Sequence, residues 1–269
     1  MIDTHAHLDF PQYDKDRDKI IEQAFSSGLE AIVNIGVDLD SSEKSIKLSE
    51  GYKNIYATVG FHPHDASKLN RGTFKELEKL ASHPKVVAIG EIGLDFYRNL
   101  SPKESQIKAF REQIDLAKSL NLPVVIHIRN AYRKALGILS EFVIKTQNRG
   151  STGKEKAKGL KGVLHCFSGN ENEAKEGLVS GFYLSFNGTL TYRNSKAAEL
   201  VKKIPLNSIL VETDCPYLTP EPFRGKRNEP KLVRLVTEKV VELSGSHSFQ
   251  ELDEIFTQNA KKLFGLDLK

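Results

Sequence analysis

Asp3-Thr4-His5-Ala6-His7 places two imidazoles two residues apart, almost at the start of the chain. On an extended strand residues i and i+2 share a face, so His5 and His7 point together while Ala6 points away. Paired imidazoles make a poor core but a good half of a metal site. Similar residues recur further on, each after a short apolar run. They are His62 in Gly60-Phe61-His62-Pro63-His64, where His64 reads as a surface or turn histidine, Glu91 in Gly90-Glu91-Ile92-Gly93-Leu94-Asp95, His127 after Val124-Val125-Ile126, His165 after Val163-Leu164, and Glu212-Thr213-Asp214 after Ile209-Leu210-Val211. Singly, each has an ordinary reading: His127 as a rim histidine, Glu91 as an ion-paired carboxylate, Asp214 as a turn residue. Together they form a pattern, because independent core histidines have no reason to gather at the same end of successive strands.

The elements that must position them alternate. Apolar runs read as strands at 1–6, 31–36, 55–60, 86–91, 123–128, 161–166, 182–186 and 208–213. Amphipathic segments at 14–27, 40–50, 72–82, 102–120, 130–143, 171–180 and 194–203 lie between them, and two more follow at 229–244 and 248–263. The alternation predicts an α/β fold, a single (β/α)8 TIM barrel over residues 1–269 with an extra C-terminal helix. Val86-Val87-Ala88-Ile89 is apolar on both faces, as a buried parallel strand should be. A doubly wound open sheet is the alternative, but no G-x-G-x-x-G follows the first strand. The polar, basic stretch 145–161 reads as a surface loop on the face away from the site.

Composition sets bounds. Charged residues make up 28% of the chain and hydrophobic residues 39%, which is ordinary for a globular protein and argues against disorder. The net charge of +4 permits an anionic partner without demanding one. Cys166 and Cys215 form no C-x-x-C, which fits a reducing compartment. No secretion signal and no membrane-spanning run is visible, so a cytoplasmic protein without an obligate protein partner is expected.

In a barrel, the strand ends meet on one face. His5, His7, Glu91, His127, His165 and Asp214 would be six metal ligands, too many for one catalytic ion that keeps an open position. Two divalent cations fit better, and two cations close together need a bridging anion. Glu91 is the expected bridge. His5, His7 and Asp214 would hold the first ion, from strands that neighbour once the barrel closes, and His127 and His165 the second. A water between two such ions has its pKa lowered, and Asp214 is the expected proton acceptor. Glu212 is expected to support a ligand from behind or to be ion-paired.

These motifs, in this order, resemble the TatD family of metal-dependent deoxyribonucleases. The likeness runs through Asp3-Thr4-His5-Ala6-His7-Leu8-Asp9, Gly60-Phe61-His62-Pro63, Gly90-Glu91-Ile92-Gly93-Leu94-Asp95-Phe96-Tyr97, Pro123-Val124-Val125-Ile126-His127, His165-Cys166-Phe167-Ser168-Gly169, Glu212-Thr213-Asp214-Cys215-Pro216-Tyr217-Leu218 and Arg224-Gly225-Lys226-Arg227-Asn228-Glu229-Pro230, to Asn259. It implies a TIM barrel, a divalent metal site at the six ligands, and hydrolysis of DNA phosphodiester bonds, often described for the family as 3′ to 5′ exonucleolytic.

A nuclease must also grip its substrate. Arg224 is the first candidate for phosphate, because its planar fork pairs two oxygens. His62 would contact the scissile phosphate or leaving group, and Tyr97 and Arg129 would line the cleft, with the tyrosine stacking a base. Arg227 reads as a solvated charge and Asn228 as a helix N-cap. Two other functions use the same frame: a small-molecule or aminoacyl-ester metallohydrolase, and a nucleic-acid-binding protein without catalysis. The metal is left open among Mg²⁺, Mn²⁺, Zn²⁺ and Co²⁺; four histidines favour the last three, while phosphate oxygens would help recruit Mg²⁺.

Overall fold

The computed structural model describes residues 1–147 and 159–268. Eight parallel strands lie in sequence order: β1 Ile2–Ala6, β2 Ala31–Ile35, β3 Ile55–Val59, β4 Val86–Asp95, β5 Val124–Arg129, β6 Gly162–Leu164, β7 Phe182–Phe186 and β8 Ile209–Val211. Helices α1 Arg17–Ser26, α2 Leu39–Gly51, α3 Arg71–Ala81, α4 Lys103–Leu120, α5 Tyr132–Gln147, α6 Glu171–Val179 and α7 Lys196–Val201 connect them. After β8 come α8 Val233–Ser244 and α9 Phe249–Phe264. The last strand returns to the first: Ala6 bridges Cys215, the Asp214 N–H donates to the His5 carbonyl at 2.9 Å, and Thr4 Oγ1 donates to the Val211 carbonyl at 2.8 Å. This is the expected TIM barrel with its extra C-terminal helix.

Local chemistry sets the helix starts. Asp38 caps α2 by accepting the Ser41 N–H, and Asn70, Asn170 and Ser248 open α3, α6 and α9 with capping boxes. The strands bury both faces, as parallel strands between helices must. Ala31, Val33 and Ile35, with Val87, Val125, Val163 and Leu210, form one apolar cluster that includes Ala260, Leu263 and Phe264 of α9. Ile32, one residue out of phase, belongs to the larger, helix-packed cluster. Helix α9 thus covers the N-terminal ends of the strands: Asn259 Nδ2 donates to the Ile209 carbonyl at 2.8 Å, and Lys261 pairs with Glu30 just ahead of β2. The opposite rim is left to the site.

Several boundaries differ from expectation. Strand β4 runs on from Glu91 to Asp95, still paired to β5 as Gly93↔His127 and Asp95↔Arg129. Gly93 permits this with φ +143°, where a Cβ would stand 2.0 Å from the His127 carbonyl oxygen. Strands β6 and β8 stop early, so His165, Glu212 and Asp214 stand just beyond them, as His7 stands just beyond β1. The Glu212 N–H still pairs with the Phe186 carbonyl, at 3.0 Å. Helix α7 is shorter than 194–203 because Ser195 caps it and Lys202 ends it. The surface loop expected over 145–161 falls largely on 148–158, outside the described residues; its first three residues continue α5.

Candidate metal centre

All six expected ligands converge at the C-terminal rim. Glu91, buried at 3% exposure, lies at the centre with its two oxygens turned to different neighbours. Oε2 lies 3.5 Å from His5 Nε2 and 3.8 Å from His7 Nε2. Oε1 lies 2.9 Å from His165 Nε2, 3.0 Å from His127 Nδ1 and 3.4 Å from His62 Nε2. Asp214 Oδ1 completes the first group, 3.7 Å from His5 Nε2 and 3.5 Å from His7 Nε2. The β1–β8 seam delivers it there, with Asp214 held at φ +56° by its N–H on the His5 carbonyl.

These spacings fit a cation. Donor atoms about 2.1 Å from one ion in a tetrahedron stand about 3.4 Å from each other. The nitrogens of His5 and His7 are 3.2 Å apart, and those of His165 and His127 are 3.4 Å apart. Two imidazole nitrogens so close, both buried, are a mismatched pair unless something positive lies between them or one is protonated. Charge follows the same logic. Burial alone would raise the Glu91 carboxyl, but His165, His62 and His127 hold it well below the usual carboxylate range. Burial pushes His165 down, yet Glu91 and Glu212 carry it well above an ordinary imidazole. His7 is raised against its burial by Asp214, and His127 by Asp95 and Glu91.

The far nitrogens of three rings face oxygen atoms behind them, while that of His5 has no hydrogen-bond partner among the described residues. His7 Nδ1 lies 3.2 Å from the Ile35 carbonyl, which leaves Nε2 free to ligate. His127 turns Nε2 to Asp95 Oδ2 at 3.4 Å, and His165 turns Nδ1 to Glu212 Oε1 at 3.5 Å. Glu212 Oε1 also accepts the Cys166 N–H at 2.8 Å and Asn187 Nδ2 at 3.3 Å. Burial raises Glu212, but the hydrogen bond and charge of His165 outweigh it and bring it to about 2. Asp95, unassigned from sequence, ties this layer to His64 and accepts the backbone N–H groups of Tyr97 and Arg98 at 2.9 and 2.8 Å.

His62 differs from the other rings. Its Nδ1 accepts the His64 backbone N–H at 3.2 Å, so in the neutral ring the proton sits on Nε2. Burial lowers its pKa to about 4, against the pull of Glu91, so the ring is neutral at pH 7. It therefore presents an N–H, not a lone pair, toward Glu91 and His127.

The centre opens into a cavity of about 580 Å³ lined by His7, His62, Glu91, His127, His165, Asp214 and Arg129, among others. Tyr97 and Arg224 stand outside that lining: the Arg129 guanidinium stacks 4.0 Å above the exposed Tyr97 ring, and that of Arg224 stacks 4.2 Å above Tyr192. Arg227 is no solvated charge. It grips Asp16 with two bonds of 2.9 and 2.7 Å, because the folded chain brings the loop after β1 against the loop after β8. Asn228 is not an N-cap either; its buried Nδ2 stitches the Thr213 and Tyr217 carbonyls at 2.9 and 2.6 Å.

The profile of the TatD-related DNase family matches residues 2–265. The chain belongs to the TatD family. It is 43% identical over 268 residues to the uncharacterized metal-dependent hydrolase YabD of Bacillus subtilis (strain 168), covering 99% of this chain and all of that one. It is 34% identical over 272 residues to the 3′-5′ ssDNA/RNA exonuclease TatD of Escherichia coli (strain K12), covering 99% of each. The crystal structure of YjjV, a TatD homologue from Escherichia coli K12, superposes with a TM-score of 0.88 at 30% identity, over 99% of this chain and 98% of that one. As a TatD-family member the chain is a hydrolytic enzyme acting on ester bonds. No described helix is long and apolar enough to cross a membrane.

Proposed function

We propose that this TatD-family protein hydrolyses DNA phosphodiester bonds, removing nucleotides from the 3′ end, with two divalent cations in the rim centre. One observation carries the reading: Glu91 offers one oxygen to His5 and His7 and the other to His127 and His165. A carboxylate so placed can serve two cations at once. His5, His7, Asp214 and Glu91 would hold one, and Glu91, His127 and His165 the other. When bound, such cations neutralise phosphate charge and make an attacking water more acidic.

The remaining steps belong to the side chains. Asp214, at the open edge of the cluster, accepts the proton of the attacking water. His62, neutral with its proton on Nε2, donates to the leaving oxygen or a phosphate oxygen. Asp95 and Glu212 keep His127 and His165 in the orientation that ligation needs. Arg129 contacts the phosphate backbone at the cavity mouth, Tyr97 beneath it offers a ring to a base, and Arg224 reaches the substrate from the loop after β8. The histidine-rich donor set favours Zn²⁺, Mn²⁺ or Co²⁺ over Mg²⁺ before substrate arrives.

The test is digestion of end-labelled single- and double-stranded DNA, with each metal added back after chelation. Metal-dependent shortening from the 3′ end is expected, with Glu91→Ala slower by more than about a hundredfold, beyond the cost of losing a partner that only orients a ligand. Wild-type protein that leaves DNA intact with every metal, or Glu91→Ala that matches wild type, refutes the proposal.

A further inference from the structure

Past the rim centre, the barrel mouth continues into a second cavity that no catalytic residue occupies. It measures about 770 Å³ and is lined by Arg129, Arg133, Lys134, Phe96, Ser168 and Glu173, among others. Arg129 and Ser168 line both cavities, so the two adjoin. Arg133 and Lys134 stand exposed on the first turn of α5, whose unpaired backbone N–H groups and positive dipole end add to their charge. Among the described residues, no side-chain ion pair or hydrogen bond engages Arg133 or Lys134, and the Arg129 guanidinium is held only by its stack on Tyr97, although exposed lysines elsewhere, such as Lys175 and Lys203, have carboxylate partners. The one carboxylate in the lining, Glu173, is already engaged through Oε2 by the Asn170 N–H at 2.7 Å. The floor is held by Tyr132, whose hydroxyl oxygen accepts the Ser168 N–H at 3.0 Å.

We infer that this groove is a backbone-binding subsite for a single nucleic-acid strand, in which Arg133 and Lys134 hold phosphates beyond the one at the metal centre. The inference rests on the phosphodiesterase reading and adds strand length to it. Two exposed cations without ion-pair partners, beside Arg129 at the mouth of a site that would take one phosphate, match the repeat of a polyanion. A small-molecule ester would leave them unused. The enzyme would therefore favour oligonucleotides over dinucleotides, and the preference would reside in α5, not in the ligands.

The test separates strand binding from cleavage. Fluorescence anisotropy is measured with a labelled single strand of about twelve nucleotides, in chelator so that nothing is hydrolysed, on wild type and on the R133A/K134A double variant. Wild-type binding should weaken with salt, and the variant should bind more than tenfold more weakly at about 50 mM salt, with a log–log salt slope shallower by about 1.4, the worth of two phosphate contacts on a single strand. With metal restored, the variant should hydrolyse a dinucleotide at the wild-type rate while its kcat/KM on the long strand falls. Unchanged binding and slope overturn the inference, as does an equal loss on dinucleotide and long strand. Intact strand binding with no cleavage by wild type would count against the phosphodiesterase reading and leave the groove standing.

Discussion

Asp95 Oδ2 accepts a hydrogen bond from His64 Nε2 at 2.9 Å, behind the wall of the metal centre. The same oxygen lies 3.4 Å from His127 Nε2, so one carboxylate orients two rings. Asp95→Asn should weaken metal binding at the His127 side by about 10- to 100-fold, the usual cost of losing a carboxylate behind a ligating histidine. Chelator competition would show it. An unchanged affinity would mean that His127 is held by packing alone.

His62 is argued to give a hydrogen bond, not a lone pair, to the reaction. His62→Ala should keep the metal content of wild type and lose about 10²–10³ in kcat on DNA, the range for one hydrogen-bond donor aimed at developing charge. An ester with a nitrophenolate leaving group, whose leaving oxygen needs little hydrogen-bond help, should be cleaved nearly as well by the variant as by wild type. Loss of one metal equivalent on substitution would instead make His62 a ligand.

Cations and protons compete for the same nitrogens. In the ion-free protein His7 and His127 are raised above the usual imidazole value, and His165 well above it. Each must lose its proton before it can ligate, so metal binding releases protons. Apparent affinity should therefore fall as pH drops through those raised values and recover as pH rises. Calorimetry in two buffers of different ionisation enthalpy measures the release directly. Chelation should also lower the melting temperature; at a hundredfold excess over Kd a bound ion contributes about 2.7 kcal/mol.

Gly93 is required by contact with its neighbour strand. Gly93→Ala sets a methyl against the His127 carbonyl, and strand β4 must shift away from β5 to make room. The expected loss is about 1–3 kcal/mol of stability, read by denaturant unfolding, with weaker metal binding because Glu91 and Asp95 move with the strand.

Much of the centre was legible because strand and ligand share a period. His5 and His7 at i and i+2, and single ligands following apolar runs, need only the barrel to be brought together. What escaped depended on contacts distant in sequence. Asp95 and His64 meet because Gly93 lets β4 continue past Glu91 and because a short turn over Pro63–Lys68 brings His64 back beside His62. The signal was there in part: His62-Pro63-His64 repeats the spacing of His5-Ala6-His7. Arg227 and Asn228 were misread because their partners, Asp16 and Thr213, are fixed by the closing of two loops and not by local pattern. The strand ends at β6 and β8 were overrun, although backbone pairing does carry one residue past the regular ladder, with the His165 and Glu212 N–H groups on the Ile126 and Phe186 carbonyls.

The seam between β1 and β8 has a consequence for how the protein is made. Thr213 and Asp3 bond across 210 positions of sequence, and Asp214 reaches His5 only through that closure. During synthesis His5 and His7 precede almost the whole barrel, which must follow before their carboxylate partner exists. Contacts of such long range form slowly. A nascent chain or fragment ending before Asp214 therefore lacks one of the residues that would hold the first of the two proposed cations, whatever the rest of the barrel has done.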